Sequence, residues 1–371
     1  MRILFSTDQI HLHGGIEKVM ALKANYFADV LGHEVTILTT EQKNKIPCYP
    51  LSSKIQLKDI AVNYNRTKSY FHPENLKKIP FHFRAYKKTI TESNPEVIIS
   101  CNFAFDFYWL PFTFTTIPKF KEFHSSRYFE AQRRNATPFF KKGKYKLNDF
   151  IEQRFSKLVL LNPDEQPFYK TNNGVVVPNP ISIPNKQASL QNKKAIAAGR
   201  IAPVKGFENA IRAWELVVKE SPDWELHIYG QGEEAYIQSL QEIINSLQLQ
   251  NRVFLQPATA DLTETMLDYS IYVMSSHTEC FPMVLLESLS IGLPIVSFDC
   301  PTGPRNIIAN NEDGFLVENQ NSAALAEKIV LLTQNDQTRI AFGNKAKQNS
   351  GRFSTEKVML LWENLFKKSQ Q

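Results

Sequence analysis

The feature that most constrains the fold is an alternation, repeated along almost the whole chain, between short β-rich runs and longer amphipathic stretches. In the first half, strands are predicted at residues 2–6, 34–39, 96–100, 157–162 and 174–177, and helices at 16–31 and 80–92. Strands that alternate with helices in this way form parallel sheets covered by helices. The chain is therefore predicted to be an α/β protein.

The alternation stops once and then starts again. Residues 177–180 (VPNP) punctuate the chain, and residues 183–193 are polar and weakly patterned, as an inter-domain linker would be. A second series of strands is predicted at 195–199, 225–229, 252–255, 271–275, 294–298 and 314–317. A chain of 371 residues is also too long for one ordinary α/β core. We predict two domains, residues 1–178 and 179–353, with a last helix within 354–371 that packs back on the first.

Composition argues against membrane spans and against a disulfide or metal framework. No apolar run approaches the roughly 20 residues that cross a bilayer, and the first apolar run is too short for a signal peptide. The four cysteines are far apart and have no metal-ligand spacing; they are Cys48, Cys101, Cys280 and Cys300. Reduced thiols in a cytoplasmic protein are the expectation for such a chain.

The net charge of +6 is unevenly distributed. Residues 1–178 contain 26 Lys and Arg against 16 Asp and Glu, whereas the remainder contains 17 against 21. Much of the excess lies in residues 119–146, where nine cations are interleaved with seven aromatic side chains. Such a segment suits nucleic acid, an anionic membrane surface or an acidic acceptor, and a solvated basic helix face is the alternative.

Two glycine-containing turns follow predicted strands. In residues 13–17 (HGGIE), Gly14 and Gly15 allow close backbone approach, and the helix that opens there offers unpaired N–H groups to a phosphate or sugar oxygen. A tight strand-to-helix turn without a ligand is the alternative. The second turn runs from Gly230 to Gly232 and is too short to specify a ligand by itself.

Two cations lie in residues 199–207 (GRIAPVKGF), just after the first strand of the second series. Doubly wound sheets bind ligands at this carboxyl edge. Arg200 can form a bidentate fork and Lys205 supplies a point charge, so the pair suits a pyrophosphate. A surface loop that happens to contain two charges is the alternative.

Two carboxylates are spaced across residues 279–287 (ECFPMVLLE). Glu279 is predicted in a loop, and Glu287 more than one turn inside a helix that begins near Pro282. Such carboxylates can hold the hydroxyls of a sugar and of a ribose while the helix N-terminus faces phosphates. A surface position is the alternative for Glu287, but the surrounding leucines predict a buried helix, where a carboxylate needs a ligand or partner.

The glutamate pair, the early Gly-Gly and the Arg…Lys pair together resemble the retaining glycosyltransferase family 4, in its bacterial polysaccharide and lipid-linked oligosaccharide branch. The resemblance covers most of the chain and is strongest from 195 to 317. It implies the GT-B fold, two Rossmann-like domains facing each other across a cleft. It also implies a hexosyltransferase that moves a hexose or N-acetylhexosamine from a UDP-sugar to a glycan or lipid-linked acceptor. Cell-surface polysaccharide or lipopolysaccharide synthesis would be its setting.

The resemblance assigns roles to particular residues. Glu279 would contact the donor sugar, Glu287 the ribose, and Arg200 and Lys205 the pyrophosphate. The donor site would be completed by Gly14, Gly15, Gly232, Phe281, Pro282, Met283 and Val284. His124 matches a first-domain histidine that in relatives reaches the sugar near the reacting carbon, although its aromatic context alone favours a packed or surface histidine. Cys280 and Asn306 depart from the family pattern, which usually has Gly and often Glu there.

The family implies front-face attack with retention, driven by leaving-group stabilisation and acceptor positioning. No Asp-x-Asp motif occurs in the sequence, so neither a metal nor another cofactor is expected. A nucleotide-sugar epimerase and a non-catalytic sugar-nucleotide-binding protein are the alternatives on this fold. Nucleic acid is disfavoured because no recognised binding module accompanies the basic segment. The expected location is cytoplasmic or peripheral on the inner membrane face, and the donor base, sugar, acceptor, linkage and oligomeric state stay open.

Overall fold

The computed structural model of the protein describes residues 1–101, 104–138 and 142–369. The chain forms two compact units. Unit 1 comprises Met1–Pro180 and Thr355–Gln371, and unit 2 comprises Ile181–Ser354.

Unit 1 is built on a seven-stranded parallel sheet of order β3-β2-β1-β4-β5-β6-β7. Its strands are β1 (Arg2–Thr7), β2 (Glu34–Thr39), β3 (Gln56–Asp59), β4 (Val97–Ser100), β5 (Lys119–Glu122), β6 (Lys157–Leu160) and β7 (Gly174–Val176). Its first helices are α1 (Gly15–Asp29), α2 (Pro73–Leu76), α3 (Ile79–Ser93), α4 (Tyr128–Ala136) and α5 (Gly143–Glu152). The strand order reverses between β1 and β4, where doubly wound sheets open a ligand crevice.

Both faces of this sheet are buried at β1, β4 and β6, which explains the continuous apolar runs of these three strands. Successive residues of a strand point to opposite faces. In β1, Phe5 therefore joins the core on the α1 side, whereas Leu4 joins the core on the α3 side.

Unit 2 repeats the plan with six parallel strands in the order β10-β9-β8-β11-β12-β13. They are β8 (Lys194–Ala198), β9 (Glu225–Tyr229), β10 (Val253–Gln256), β11 (Ile271–Met274), β12 (Ile295–Phe298) and β13 (Gly314–Val317). The helices are α6 (Phe207–Glu220), α7 (Glu234–Ser246), α8 (Leu262–Met266), α9 (Met283–Ser290), α10 (Ser322–Gln334) and α11 (Asp336–Ser350). The order reverses between β8 and β11, so the loops after these two strands flank the expected ligand edge.

The last helix, α12 (Thr355–Ser369), returns to unit 1 and packs against α1. Its apolar face carries Trp362 and Phe366, both buried in the same core as β1 and β4. The Phe366 ring lies 5.5 Å from those of Phe27 on α1 and Phe120 on β5. The return of the chain therefore completes one face of the first sheet.

The structure corrects the view of residues 119–146 as one basic surface, because the segment begins with the internal strand β5. Lys119 and Lys121 are buried in it. The Lys119 ammonium donates to the carbonyl oxygens of Phe114 (2.8 Å) and Ile117 (3.0 Å). These lysines serve the sheet and are not available to a partner.

Other cations of the segment are also engaged. The buried Arg127 guanidinium forms a bidentate pair with Glu152, and the Arg134 Nη1 lies 2.5 Å from the Asp149 Oδ1. Arg133 and Lys144 are exposed. Three residues of this segment, Phe139, Phe140 and Lys141, lie outside the described residues. Among the helices that the structure describes, none has both the length and the apolar character needed to cross a bilayer.

Candidate functional site

In unit 2 the loops that follow β8 and β11 meet at the carboxyl edge of the sheet. The His277 N–H donates to the Val204 carbonyl at 2.9 Å. Gly206 has a positive φ of 59°, and a side-chain carbon there would collide with the Ser275 carbonyl oxygen. Glycine is therefore required at 206 both by its backbone conformation and by the close approach of the two loops.

This meeting brings together two of the predicted site residues, Lys205 and Glu279. The Lys205 Nζ lies 2.6 Å from the Glu279 Oε1, and the Ser276 hydroxyl donates to the same oxygen at 2.8 Å. Their side chains are 23% and 12% exposed, so both groups remain within reach of solvent. An ammonium and a carboxylate held side by side at a sheet edge can bind one ligand together, the ammonium at a phosphate and the carboxylate at a hydroxyl.

The backbone of Glu279 is fixed by the segment that follows β12. The Glu279 N–H donates to the Pro301 carbonyl at 2.8 Å, and its own carbonyl accepts the N–H groups of Thr302 and Gly303. A side-chain carbon at Gly303 would lie 2.8 Å from the Cys280 carbonyl oxygen. The loop that carries Glu279 is thus bonded on both sides, and Cys280 is buried within it.

The second glutamate lies where the leucine pattern predicts. Helix α9 begins at Met283, one residue after Pro282, and Leu285, Leu286 and Leu289 are fully buried. Glu287 is itself only 3% exposed. Phe281, Pro282 and Met283 are buried at the helix start, and Val284 is half-buried.

Arg200 and Gly232 make other contacts than Lys205 and Glu279. Arg200 is exposed, and no ion pair holds its side chain among the described residues. Gly232 runs beside Ile201, where an added side-chain carbon would collide with the Ile201 carbonyl oxygen. Packing alone therefore accounts for glycine at 232.

A polar cluster next to Gly206 escaped the sequence analysis. The Tyr236 hydroxyl donates to the Glu208 Oε2 at 2.6 Å, and the His277 Nε2 lies 3.3 Å from the Glu208 Oε1. Burial, followed by the bond to Glu208, raises the pKa of Tyr236. The position of Glu208 two residues after the Lys-Gly pair is the one signal in the sequence that points to it.

In unit 1, His124 follows β5 at the carboxyl edge of the sheet. Its Nε2 lies 3.7 Å from the Glu122 Oε2, and its side chain is 5% exposed. Glu122 is also paired with Lys23 and accepts a bond from the Cys101 thiol at 3.1 Å. Although burial opposes it, Lys23 and then His124 lower the pKa of Glu122. His124 is thus buried beside a carboxylate, as a core histidine is, although it lies at the edge of the sheet where ligands bind.

The glycines of residues 13–17 open α1. Gly14 is the N-cap residue, with its carbonyl accepting the Lys18 N–H at 3.1 Å, and Gly15 is the exposed first residue of the helix. Glu17 is buried beneath this turn, and burial raises the pKa of its carboxyl group. Among the described residues, no group of three or more His, Cys, Asp or Glu could hold a metal ion.

Residues 180–349 match the family model described as glycosyl transferases group 1. A protein of Haemophilus influenzae described as an uncharacterized glycosyltransferase is 32% identical over 215 residues, which are 56% of this chain and 60% of that protein. The poly(ribitol-phosphate) alpha-N-acetylglucosaminyltransferase of Staphylococcus aureus is 31% identical over 200 residues, 53% of this chain and 40% of that protein. The chain thus spans about half the length of these relatives.

Solved structures match over the whole chain. Staphylococcus aureus TarM in complex with fondaparinux, alpha-GlcNAc-glycerol and UDP has a TM-score of 0.79 at 17% identity, covering 99% of this chain and 100% of that one. Anabaena HepE in complex with UDP-glucose has a TM-score of 0.75 at 19% identity, covering 98% of both chains. These likenesses confirm the predicted fold class, GT-B with two Rossmann-like units.

Proposed function

We propose that the protein is a retaining hexosyltransferase that transfers a hexose or N-acetylhexosamine from a UDP-sugar to a glycan or lipid-linked acceptor in cell-surface polysaccharide synthesis. The observation that carries the proposal is the pair of Lys205 and Glu279, 2.6 Å apart at the carboxyl edge of unit 2. Both residues lie inside the segment that matches the glycosyltransferase family model.

The proposed chemistry follows from the charge that develops on the donor. When the bond between the sugar and UDP breaks, negative charge grows on the departing diphosphate, and preorganised cations lower that barrier. Lys205, assisted by Arg200, is proposed to hold the diphosphate, while Glu279 accepts hydrogen bonds from the hydroxyls of the sugar. Glu287 would accept the ribose hydroxyls, and the N–H groups at the start of α9 would face the phosphates.

The remaining proposed contacts surround the transferred sugar. His124 is proposed to touch the sugar near the reacting carbon. Backbone at Gly14, Gly15 and Gly232 would complete the donor site together with Phe281, Pro282, Met283 and Val284. Retention would follow from attack on the face that the diphosphate leaves, with the protein holding the acceptor hydroxyl on that same face. As the new glycosidic bond forms, the departing diphosphate would take the proton of the hydroxyl.

The relatives support the donor and acceptor classes. One relative is named as an N-acetylglucosaminyltransferase and another, from Bacillus subtilis, as a poly(glycerol-phosphate) alpha-glucosyltransferase. Solved neighbours of the same fold contain UDP or UDP-glucose. An anionic glycan acceptor would also suit the excess of positive charge in residues 1–178.

A screen of nucleotide sugars by thermal unfolding tests the proposal, because a ligand that binds only the folded state raises its unfolding temperature. We expect a UDP-hexose or UDP-N-acetylhexosamine to stabilise the protein, and NMR of the mixture with glycan acceptors to show UDP and a new glycoside. Conversion of the UDP-sugar to its epimer, with no release of UDP, would favour an epimerase. Stabilisation with neither product would favour a binding protein.

The proposed reaction needs no divalent metal, since Lys205 and Arg200 supply the positive charge. Turnover should be the same in EDTA as in Mg²⁺ or Mn²⁺. Turnover that EDTA abolishes and Mg²⁺ or Mn²⁺ restores would refute this part of the proposal.

A further inference from the structure

The loop between β1 and α1 rests on two buried polar side chains, Gln9 and Glu17, which are 9% and 8% exposed. The Gln9 Nε2 donates to the Glu17 Oε1 at 2.6 Å. At its other end, the Gln9 Oε1 accepts the backbone N–H groups of His11 (2.7 Å) and Leu12 (2.8 Å). A continuous chain of hydrogen bonds therefore runs from the first turn of α1 to the loop backbone.

The same loop is held from its other side by residues that follow β2. The Ile10 N–H donates to the Gln42 Oε1 at 3.0 Å. The Cys48 N–H donates to the Ile10 carbonyl at 2.9 Å, and the Cys48 thiol to the Leu12 carbonyl at 2.8 Å. Gln9 and Glu17 thus form one side of a clamp around residues 10–12.

Gly14 has a steric reason to be glycine that involves Glu17. Its φ of −164° is extended backbone that any residue adopts, so its conformation does not require glycine. A side-chain carbon on Gly14 would instead collide with the Glu17 Oε2 and lie 3.3 Å from the Glu17 Cδ. Since the other carboxylate oxygen is bonded to Gln9, Glu17 could move aside only by disturbing that bond.

We propose that Glu17 is a positioning residue, which acts through Gln9 to fix residues 11 and 12 next to Gly14 and Gly15, and that Gly14 is glycine because the Glu17 carboxylate fills the space beside it. The proposal rests on the proposed function, in which Gly14 and Gly15 touch the donor. The role of Glu17 is to place an acceptor oxygen within reach of the Gln9 amide. A neutral glutamine side chain, which has the same shape, can do the same. Gln9 supplies the link to the loop.

Hydrogen exchange of residues 9–15, followed by mass spectrometry, tests the clamp without reference to activity. Glu17→Ala removes the acceptor and Gly14→Ala displaces it, so each should speed exchange at His11 and Leu12 about tenfold, the effect of one lost hydrogen bond. Glu17→Gln should exchange like wild type. Gly143→Ala is the matched control, because nothing lies within 4 Å of the carbon it adds.

The double variant Gly14→Ala/Glu17→Ala tests the coupling between the two positions. If Gly14 matters because of Glu17, the double variant should exchange no faster than Glu17→Ala alone. Effects that multiply, to about a hundredfold, would overturn the steric link. Exchange in Glu17→Gln as fast as in Glu17→Ala would overturn the geometric role.

Steady-state kinetics with a UDP-sugar test the positioning role. Glu17→Ala and Gly14→Ala should lower kcat/KM about tenfold at an unchanged unfolding temperature, and Glu17→Gln should restore it. Faster exchange with unchanged kcat/KM would overturn the positioning role and leave the proposed function standing. Absence of transfer by the wild type would overturn the proposed function and the positioning role together, with the exchange data still deciding whether Gly14 and Glu17 are coupled.

Discussion

At the scale of single residues, the charged groups of the candidate site differ in how much they contribute to the stability of the fold. The pair of Lys205 and Glu279 is partly exposed, and pairs of that kind contribute about 1 kcal/mol or less to stability. Glu287, by contrast, is buried in α9. Substitutions at 205 should therefore report on chemistry, whereas those at 287 also bear on packing.

We predict that Glu287→Ala weakens nucleotide binding more than it slows turnover at saturating donor, because Glu287 is proposed to hold ribose hydroxyls that do not react. Titration calorimetry with UDP would measure the change in Kd, expected to be about tenfold or more for a lost charged hydrogen bond. Glu327→Ala, an exposed glutamate on α10, is the control. Equal UDP affinity in the Glu287 variant and wild type would contradict the ribose role.

At the scale of elements, β5 shows why part of the fold is hidden from the sequence. Its residues, KFKE, have no apolar pattern, yet all four are buried. The lysines are accommodated because their ammonium groups reach carbonyl oxygens, as Lys119 does at Phe114 and Ile117. Strands such as β2 and β9, which are rich in β-branched and apolar residues, were predicted with their observed bounds, whereas the polar β3 and β5 were missed.

The same limit applies to the candidate site. The sequence places Lys205 and Glu279 after two strands, and parallel topology makes their meeting foreseeable once β8 and β11 are neighbours. The contact of Glu208 with His277 and the packing of Glu17 against Gly14 depend on side-chain positions that no spacing encodes. The sequence likewise does not encode that the His124 side chain is only 5% exposed, beside the Glu122 carboxylate that precedes it by two residues.

Burial lowers the pKa of Lys119 to about 8, which predicts a pH dependence of stability. An unfolded lysine has a pKa near 10.4, so between about pH 8 and 10 the unfolded chain binds more protons than the folded one. Stability from this group therefore rises as pH increases through that window. Relative to Lys119→Met, wild type should gain in unfolding temperature from pH 8 to pH 10. A difference that does not change with pH would contradict the buried position of this ammonium.

Helix α12 should stabilise unit 1 through its buried face. Trp362 is 1% exposed and lies 4.6 Å below the Lys23 ammonium, whereas Leu360 on the same helix is 60% exposed. We predict that Trp362→Ala lowers the free energy of unfolding by about 3–5 kcal/mol. Leu360→Ala should change it by less than about 0.5 kcal/mol. Urea denaturation would measure both, and similar small losses would show that α12 is not part of the core.

At the scale of the whole molecule, the charge asymmetry separates the two halves of the sequence. Residues 1–178 have an excess of ten positive charges, and the remainder has an excess of four negative ones. Burial and ion pairing remove Lys119, Lys121 and Arg127 from the surface, but Arg133 and Lys144 stay exposed. On α5, which also carries Lys144, the exposed Phe150 stacks on Phe112 with ring centroids 5.9 Å apart. We propose that this region of unit 1 rests on an anionic membrane surface.

We predict that replacing Arg133, Lys142 and Lys144 with Gln weakens co-sedimentation with anionic liposomes at low salt. Each cation at such a surface contributes about 1 kcal/mol, and added salt screens the attraction. Donor affinity should not change. A matched variant that removes three cations from unit 2, at Lys193, Lys219 and Lys345, should bind liposomes like wild type. No liposome binding by wild type at low salt would favour an acceptor free in solution.

The most direct test of the whole account is the rate of UDP release by Lys205→Ala, measured with the UDP-sugar that stabilises the protein most and with its acceptor. If Lys205 stabilises the departing diphosphate, kcat should fall by on the order of 10²-fold at an unchanged unfolding temperature. Lys193→Ala removes an exposed lysine that is paired with Asp223, and it should keep wild-type turnover. Wild-type turnover in Lys205→Ala would contradict the account.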